Sequence, residues 1–210
     1  MKYNCIPIGD HCGGAFALIN AKIRTCSYPF DWVSYYSSTT NPQITNIHYN
    51  IQLIKELMDT SDMRIIVDSY IGDALENKEK YNTKTNIVFP HESGTKKDIF
   101  DKYERRFIRL KNDIQTLPNL FLIISRYYSF EQTEFDTIVQ YLLSYNPNNK
   151  ILFICGFDHL YLYNNPYGSR VIFKHIPYDI TQFYNYDVTH FRPNIDTFLK
   201  TFDFTINTSS

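Results

Sequence analysis

The stretch from Ile6 to Val33 reads IPIGDHCGGAFALINAKIRTCSYPFDWV and holds the residues best suited to chemistry. Cys12 stands in the turn Gly9-Asp10-His11-Cys12-Gly13-Gly14, between an apolar run ending at Ile8 and a helical pattern from Ala15 to Lys22. Ala15, Phe16, Leu18 and Ile19 form the apolar face of that pattern, and Asp10 is placed to cap its start. Cys12 then falls in the first helical turn, where unpaired backbone N–H groups and the helix dipole favour a thiolate over a thiol. A strand, a glycine-bracketed cysteine and a helix make a nucleophile site. The competing reading is a small buried hydrophobe, with the glycines letting the helix pack closely on a strand. His11 is next in sequence, but neighbours along a chain rarely face each other. A lone cysteine gains meaning with a histidine from elsewhere in the fold.

Whole-chain properties narrow the possibilities. At 210 residues the length fits one domain with a sizeable core. A formal net charge of -1 gives no electrostatic footprint for nucleic acid, and no polybasic segment suggests a charged membrane surface. The N-terminus MKYNCIPIGD lacks the apolar core of a signal peptide, and no run is long enough to span a bilayer. Cys5, Cys12, Cys26 and Cys155 are scattered without a C-x-x-C pair, so reduced thiols in a soluble, cytoplasmic setting are expected. Zinc would need closely spaced Cys/His pairs, and the sequence has none. No metal, cofactor, nucleic-acid or membrane partner is expected.

The elements that must position Cys12 follow from periodicity. Lys2 to Ile8 reads as a strand and Cys12 to Lys22 as a helix. Ile23 to Val33 reads as a loop, because Pro29 cannot occupy a central strand. Within that loop Asp31 either caps the following turn or orients a catalytic histidine, and Trp32, the single tryptophan, reads as a core anchor. Ile44 to Met58 has helical spacing, Met63 to Val67 is a short apolar run, and Gly72 to Thr85 reads as a loop or weak helix. Asn86 to Glu92 reads as a strand ending at His91. Lys96 to Gln115 reads as a helix with Ile99, Tyr103, Phe107, Leu110 and Ile114 on one face. Arg105, Arg106 and Arg109 read as its solvated face. Leu120 to Ser125, Lys150 to Cys155 and Arg170 to Ile176 are apolar strands, with a helix from Phe130 to Tyr145 between the first two. Phe198 to Phe204 reads as a last helix or short strand. Strand, helix, strand is a βαβ unit, so the expected class is a single α/β domain with a mostly parallel sheet and flanking helices.

Gly9-x-x-Cys12 and Ser27-Tyr28-Pro29-Phe30-Asp31-Trp32 resemble the opening of a family of uncharacterised proteins catalogued as papain-like cysteine peptidases. Phe89-Pro90-His91-Glu92 and Tyr103-Glu104-Arg105-Arg106 are similar to two later blocks of that family, in the same order. The resemblance covers most of the first half of the chain and becomes diffuse after about Tyr128. It implies a cysteine-dependent hydrolase with Cys12 as nucleophile, His91 as general base and Asp31 as orienting group. It further implies Arg105 and Arg106, with His11, as contacts for an anionic substrate group. A papain-like fold sets its nucleophile helix against an antiparallel sheet, whereas the second half of this chain reads as parallel.

A second, looser likeness is to GDSL-type hydrolases, through Gly9-Asp10 after the first strand and Asp187-x-x-His190 near the C-terminus. In those enzymes the nucleophile directly follows the Asp; here His11 intervenes and the candidate is Cys12. That reading makes the chain an esterase or glycan-modifying enzyme using Cys12 or Asp10 with His190. A third reading is a non-catalytic α/β binding module for sugars or nucleotides, with Cys12 structural. Cys12 near His91 favours the first, near His190 the second, and buried without a histidine the third. His48, His159 and His175 are weaker candidates, lying within a helical pattern or at strand ends.

Overall fold

The computed structural model describes residues 2–9, 12–35, 46–76, 80, 82–126, 130–156, 165–178 and 190–205. In chain order these form β1 (Asn4–Gly9), α1 (Gly13–Asn20), β2 (Ser34–Tyr35), α2 (Asn46–Asp59), α3 (Met63–Ile71) and β3 (Ile87–Val88). They continue with α4 (Lys96–Thr116), β4 (Asn119–Ser125), α5 (Gln132–Ser144), β5 (Lys150–Cys155), β6 (Val171–His175) and α6 (Arg192–Thr201). A short 3-10 turn at Gly168–Arg170 leads into β6.

β1, β4, β5 and β6 form one sheet in that spatial order, and every pairing is parallel. The continuous apolar runs of β4 and β5 are explained by cover on both faces. Alternate residues point to opposite sides of a strand. Ile6, Ile8, Phe121, Ile123, Ile151 and Phe153 therefore share a core with buried residues of α2, α3, α4 and α5. Cys5, Leu120, Leu122, Ile124, Leu152 and Ile154 face the other way, onto Ala17 and Leu18 of α1 and Ile195 and Leu199 of α6. The chain is an α/β fold with helices on both sides of a parallel sheet, the class that the periodicity predicts.

Three elements differ from the sequence expectation. Met63 to Val67 belongs to a helix, α3, which buries Ile66, Val67, Tyr70 and Ile71. It starts where the Asp62 carboxylate accepts the Arg64 N–H. The strand expected over Asn86 to Glu92 shrinks to Ile87–Val88. Asn86 takes a left-handed φ of 58° on one side, and Pro90, with no N–H to give a ladder, stands just beyond. β3 joins not the main sheet but β2, in an antiparallel pair. The C-terminal stretch carries α6 from Arg192, and beyond it the Phe204 carbonyl accepts the Tyr3 N–H at 3.0 Å and Thr205 bridges Lys2.

Candidate functional site

Cys12 occupies the N-cap position of α1, one residue before the first turn, in helical backbone conformation, and its carbonyl accepts the Phe16 N–H at 3.2 Å. It is half-buried, whereas Cys5 and Cys155 are buried. Burial pushes the Cys5 thiol up to about 12, leaving it neutral and inert. Gly14 lies so close to β1 that a Cβ there would stand 3.1 Å from Pro7 Cβ, so this glycine has a packing reason. Asp10 and His11 lie outside the described residues, as do His159 and Asp187.

The Ser-Tyr-Pro-Phe-Asp-Trp segment folds as a turn anchored from both sides. Tyr28 OH donates to Asp113 at 2.6 Å, and Tyr70 OH donates to the Pro29 carbonyl at 3.2 Å. Arg109 Nη1 donates to the Ser27 carbonyl at 2.9 Å. Asp31 is 1% exposed. Its Oδ2 accepts from Arg24 Nη2 at 2.5 Å and from the Tyr28 N–H at 2.9 Å, which closes the turn behind it. Burial raises the Asp31 carboxyl above the usual carboxylate range, against the opposing pull of Arg24 and the Tyr28 N–H. Asp31 Oδ1 and Arg24 Nε are both buried without a hydrogen-bond partner.

Trp32, next in sequence, is half-buried and faces three groups. Its ring meets Phe16 edge-on at 5.1 Å and His91 edge-on at 5.8 Å, and the Arg24 guanidinium lies over it at 5.0 Å. Phe16 is one turn along α1 from Cys12. The structure thus joins the start of α1, Trp32 and His91 into one cluster, with the Arg24–Asp31 pair beneath. Asp31 serves Arg24 and its own turn; the group touching His91 is Trp32. His91 itself is exposed, in the turn after β3.

Glu92 carries the electrostatic centre of the neighbouring region, and sequence reasoning passed over it in favour of His91. It is 3% exposed. Its carboxylate is held by Lys102, by Tyr103 OH at 3.2 Å and by Arg106 Nη1 at 3.5 Å, while Lys80 binds its carbonyl. Phe89 packs edge-on against Tyr103 at 5.4 Å. The Phe-x-His-Glu and Tyr-x-Arg-Arg blocks are therefore two halves of one buried ion cluster. The signal was legible: Lys102, Tyr103 and Arg106 fall on one helical face, where a solvated surface needs no tyrosine. Arg106 also lies over the Tyr103 ring at 5.0 Å. Arg106 and Arg109 are thus packed and bonded, not a solvated face; Arg105 alone of the three is exposed.

The remaining described histidines are distributed around the fold. His190 is exposed just before α6, which packs along α1: Asn20 Nδ2 donates to Asp196 Oδ2 at 2.7 Å, and Gly13, Phe16 and Arg192 line one shallow crevice between the helices. His48 lies on Phe130, with Nε2 3.4 Å from Glu134, and burial lowers its pKa. His175 is exposed at the end of β6. Among the described residues no group of three or more His, Cys, Asp or Glu side chains could hold a metal ion, and no helix is long and apolar enough to cross a membrane. Compared with protein-family models, with curated proteins and with solved structures, the chain matches none.

Proposed function

We propose that the chain is a cysteine-dependent hydrolase with Cys12 as nucleophile and His91 as general base. One observation carries this reading: Trp32 touches both His91 and Phe16, the residue one turn from Cys12. The reaction would split a carboxylic ester, thioester or amide. The Cys12 thiolate attacks the carbonyl carbon, and the resulting oxyanion is met by first-turn N–H groups, which have no intrahelical acceptor. The imidazolium then gives its proton to the leaving group. Water, deprotonated by the same imidazole, attacks the thioester and releases the acid and the free thiol. In this reading Arg106 is committed to Glu92 and is not a substrate contact.

A second base is favoured by a separate observation. α6 lies along α1, with Gly13 and Arg192 in one crevice, and so brings His190 toward the same helix start. The pH dependence of Cys12 alkylation by iodoacetamide separates the two. The expected result is a thiol pKa well below the free value of about 8.5, rising in His91→Ala and unchanged in His190→Ala. A rise only in His190→Ala transfers the role to that residue. Slow labelling with an unshifted pKa in all three proteins makes Cys12 structural and ends the hydrolase reading.

A further inference from the structure

Cys12, Phe16 and Ile19 recur at the spacing of one helical face, and Phe16 and Ile19 are 38% and 42% exposed. Two large apolar groups left partly exposed beside a candidate nucleophile are unusual company, since Ala15, Ala17 and Leu18 of the same helix are buried. At its far end the same face runs into a groove of ≈ 420 Å³ lined by Ile19, Lys22, Arg24, Thr25, Cys26 and Ser27. That lining has two cations and two hydroxyls, and no carboxylate. Arg24 belongs to both regions: its guanidinium covers Trp32 while its Nη2 reaches Ser27 Oγ at 2.7 Å. Asp31 already offsets Arg24, so the uncompensated positive charge of the groove is that of Lys22.

We infer that this track is the substrate-binding site, and that it takes an acyl compound with an apolar or aromatic group beside the scissile bond and a carboxylate at its far end. The inference rests on Cys12 being the reactive end. Distances set the size of the ligand. Phe16 and Lys22 are six residues apart, roughly 9 Å along a helix, and Cys12 and Lys22 roughly 15 Å. A ligand of that length lays its apolar part on Phe16, Trp32 and Ile19 and brings its anionic end to Lys22 and the hydroxyls of Thr25 and Ser27. An apolar track alone would accept any greasy molecule; the cation at its end selects the acid.

Trp32 is the only tryptophan, so its fluorescence reads the track directly. Using Cys12→Ser protein, which separates binding from turnover, N-benzoyl-ε-aminocaproate and its carboxamide are titrated in parallel. The acid should quench Trp32 and bind about fivefold tighter than the amide, the factor that an exposed ion pair supplies. Lys22→Gln should abolish the preference and leave the amide unaffected. Lys22→Gly, which removes the ammonium while relaxing the backbone, should do the same, so that unfolding cannot mimic the loss. Equal affinities, a preference surviving in both Lys22 variants, or no response to either compound overturns the assignment. Because Cys12 is absent from these proteins, that outcome is distinct from an unreactive thiol in the alkylation experiment.

Discussion

Glu92 shows how a single buried carboxylate can commit its neighbours. Its side chain is 2% exposed, against 33% for Lys102 and 11% for Arg106, so removing it strands the Arg106 guanidinium in a poorly solvated place. Breaking a buried pair from one side typically costs about 3–5 kcal/mol. Glu92→Ala should therefore lower the unfolding free energy measured in urea by that order, with Lys102→Met costing much less because Lys102 reaches solvent; equal costs would show the cluster to be a surface feature. Asp31 makes a pH-dependent statement. Its folded carboxyl is raised by burial, so the native chain holds that proton to higher pH than the unfolded chain does. The contribution is fully present below the unfolded value of about 3.9 and is lost as pH rises through the raised folded value. Compared with Asp31→Asn, the parent should gain stability as pH falls from neutral toward about 4. Urea unfolding across that range checks it, and a flat or opposite trend in the difference refutes the raised carboxyl. The sequence marked Asp31 as important without revealing its partner, because Arg24 lies seven residues back across a loop that no periodicity describes.

At the scale of elements, α1 ends in a way that bears on the proposed ligand. The Lys22 N–H returns to the Ile19 carbonyl and the Ile23 N–H to Leu18, the paired bonds of a Schellman motif. Lys22 takes the left-handed position with φ of 59°, where glycine is usual. A non-glycine residue there costs roughly 1–2 kcal/mol. Lys22→Gly should raise thermal stability by a good part of that amount while losing the preference for an acid; a variant less stable than the parent would mean that Lys22 makes a structural bond offsetting the strain. The same balance of local and distant forces explains which elements were legible. α4, α5, β4 and β5 carry long unambiguous patterns: β5 has the expected ends, and no end of the other three differs by more than two residues. α3 was missed because its buried residues come in adjacent pairs, Ile66-Val67 and Tyr70-Ile71, of which only the first lies in the short run read from sequence. β3 was overextended because Phe89 is as buried as a strand residue should be, yet it is held by rings of α3 and α4 instead of a ladder.

For the molecule as a whole, the consequential fact is that the candidate site hangs from two cores separated by the sheet. Cys12 is carried by α1, whose Ala17 and Leu18 pack with Leu120, Leu122 and α6 on one face. Trp32 and His91 are carried by loops whose neighbours Phe30, Val33 and Phe89 belong to the core on the other face. The Phe16 and Trp32 rings join the two sides, and among the described residues β1 has a main-sheet partner, β4, on one side only. In the proposed reading the spacing of Cys12 and His91 would depend on how well α1 seats on its own face, not on stability in general. Leu122→Ala and Leu142→Ala test this, since each opens a cavity at a cost of about 2–5 kcal/mol, one beneath α1 and one beneath α5, which carries no site residue. With conditions chosen so that both variants remain folded, Leu122→Ala should slow Cys12 alkylation severalfold and raise its apparent pKa. Leu142→Ala, at a matched loss of stability, should label like the parent. Equal slowing in both would mean that reactivity simply follows global stability, and would remove the seating of α1 as the determinant of the thiol.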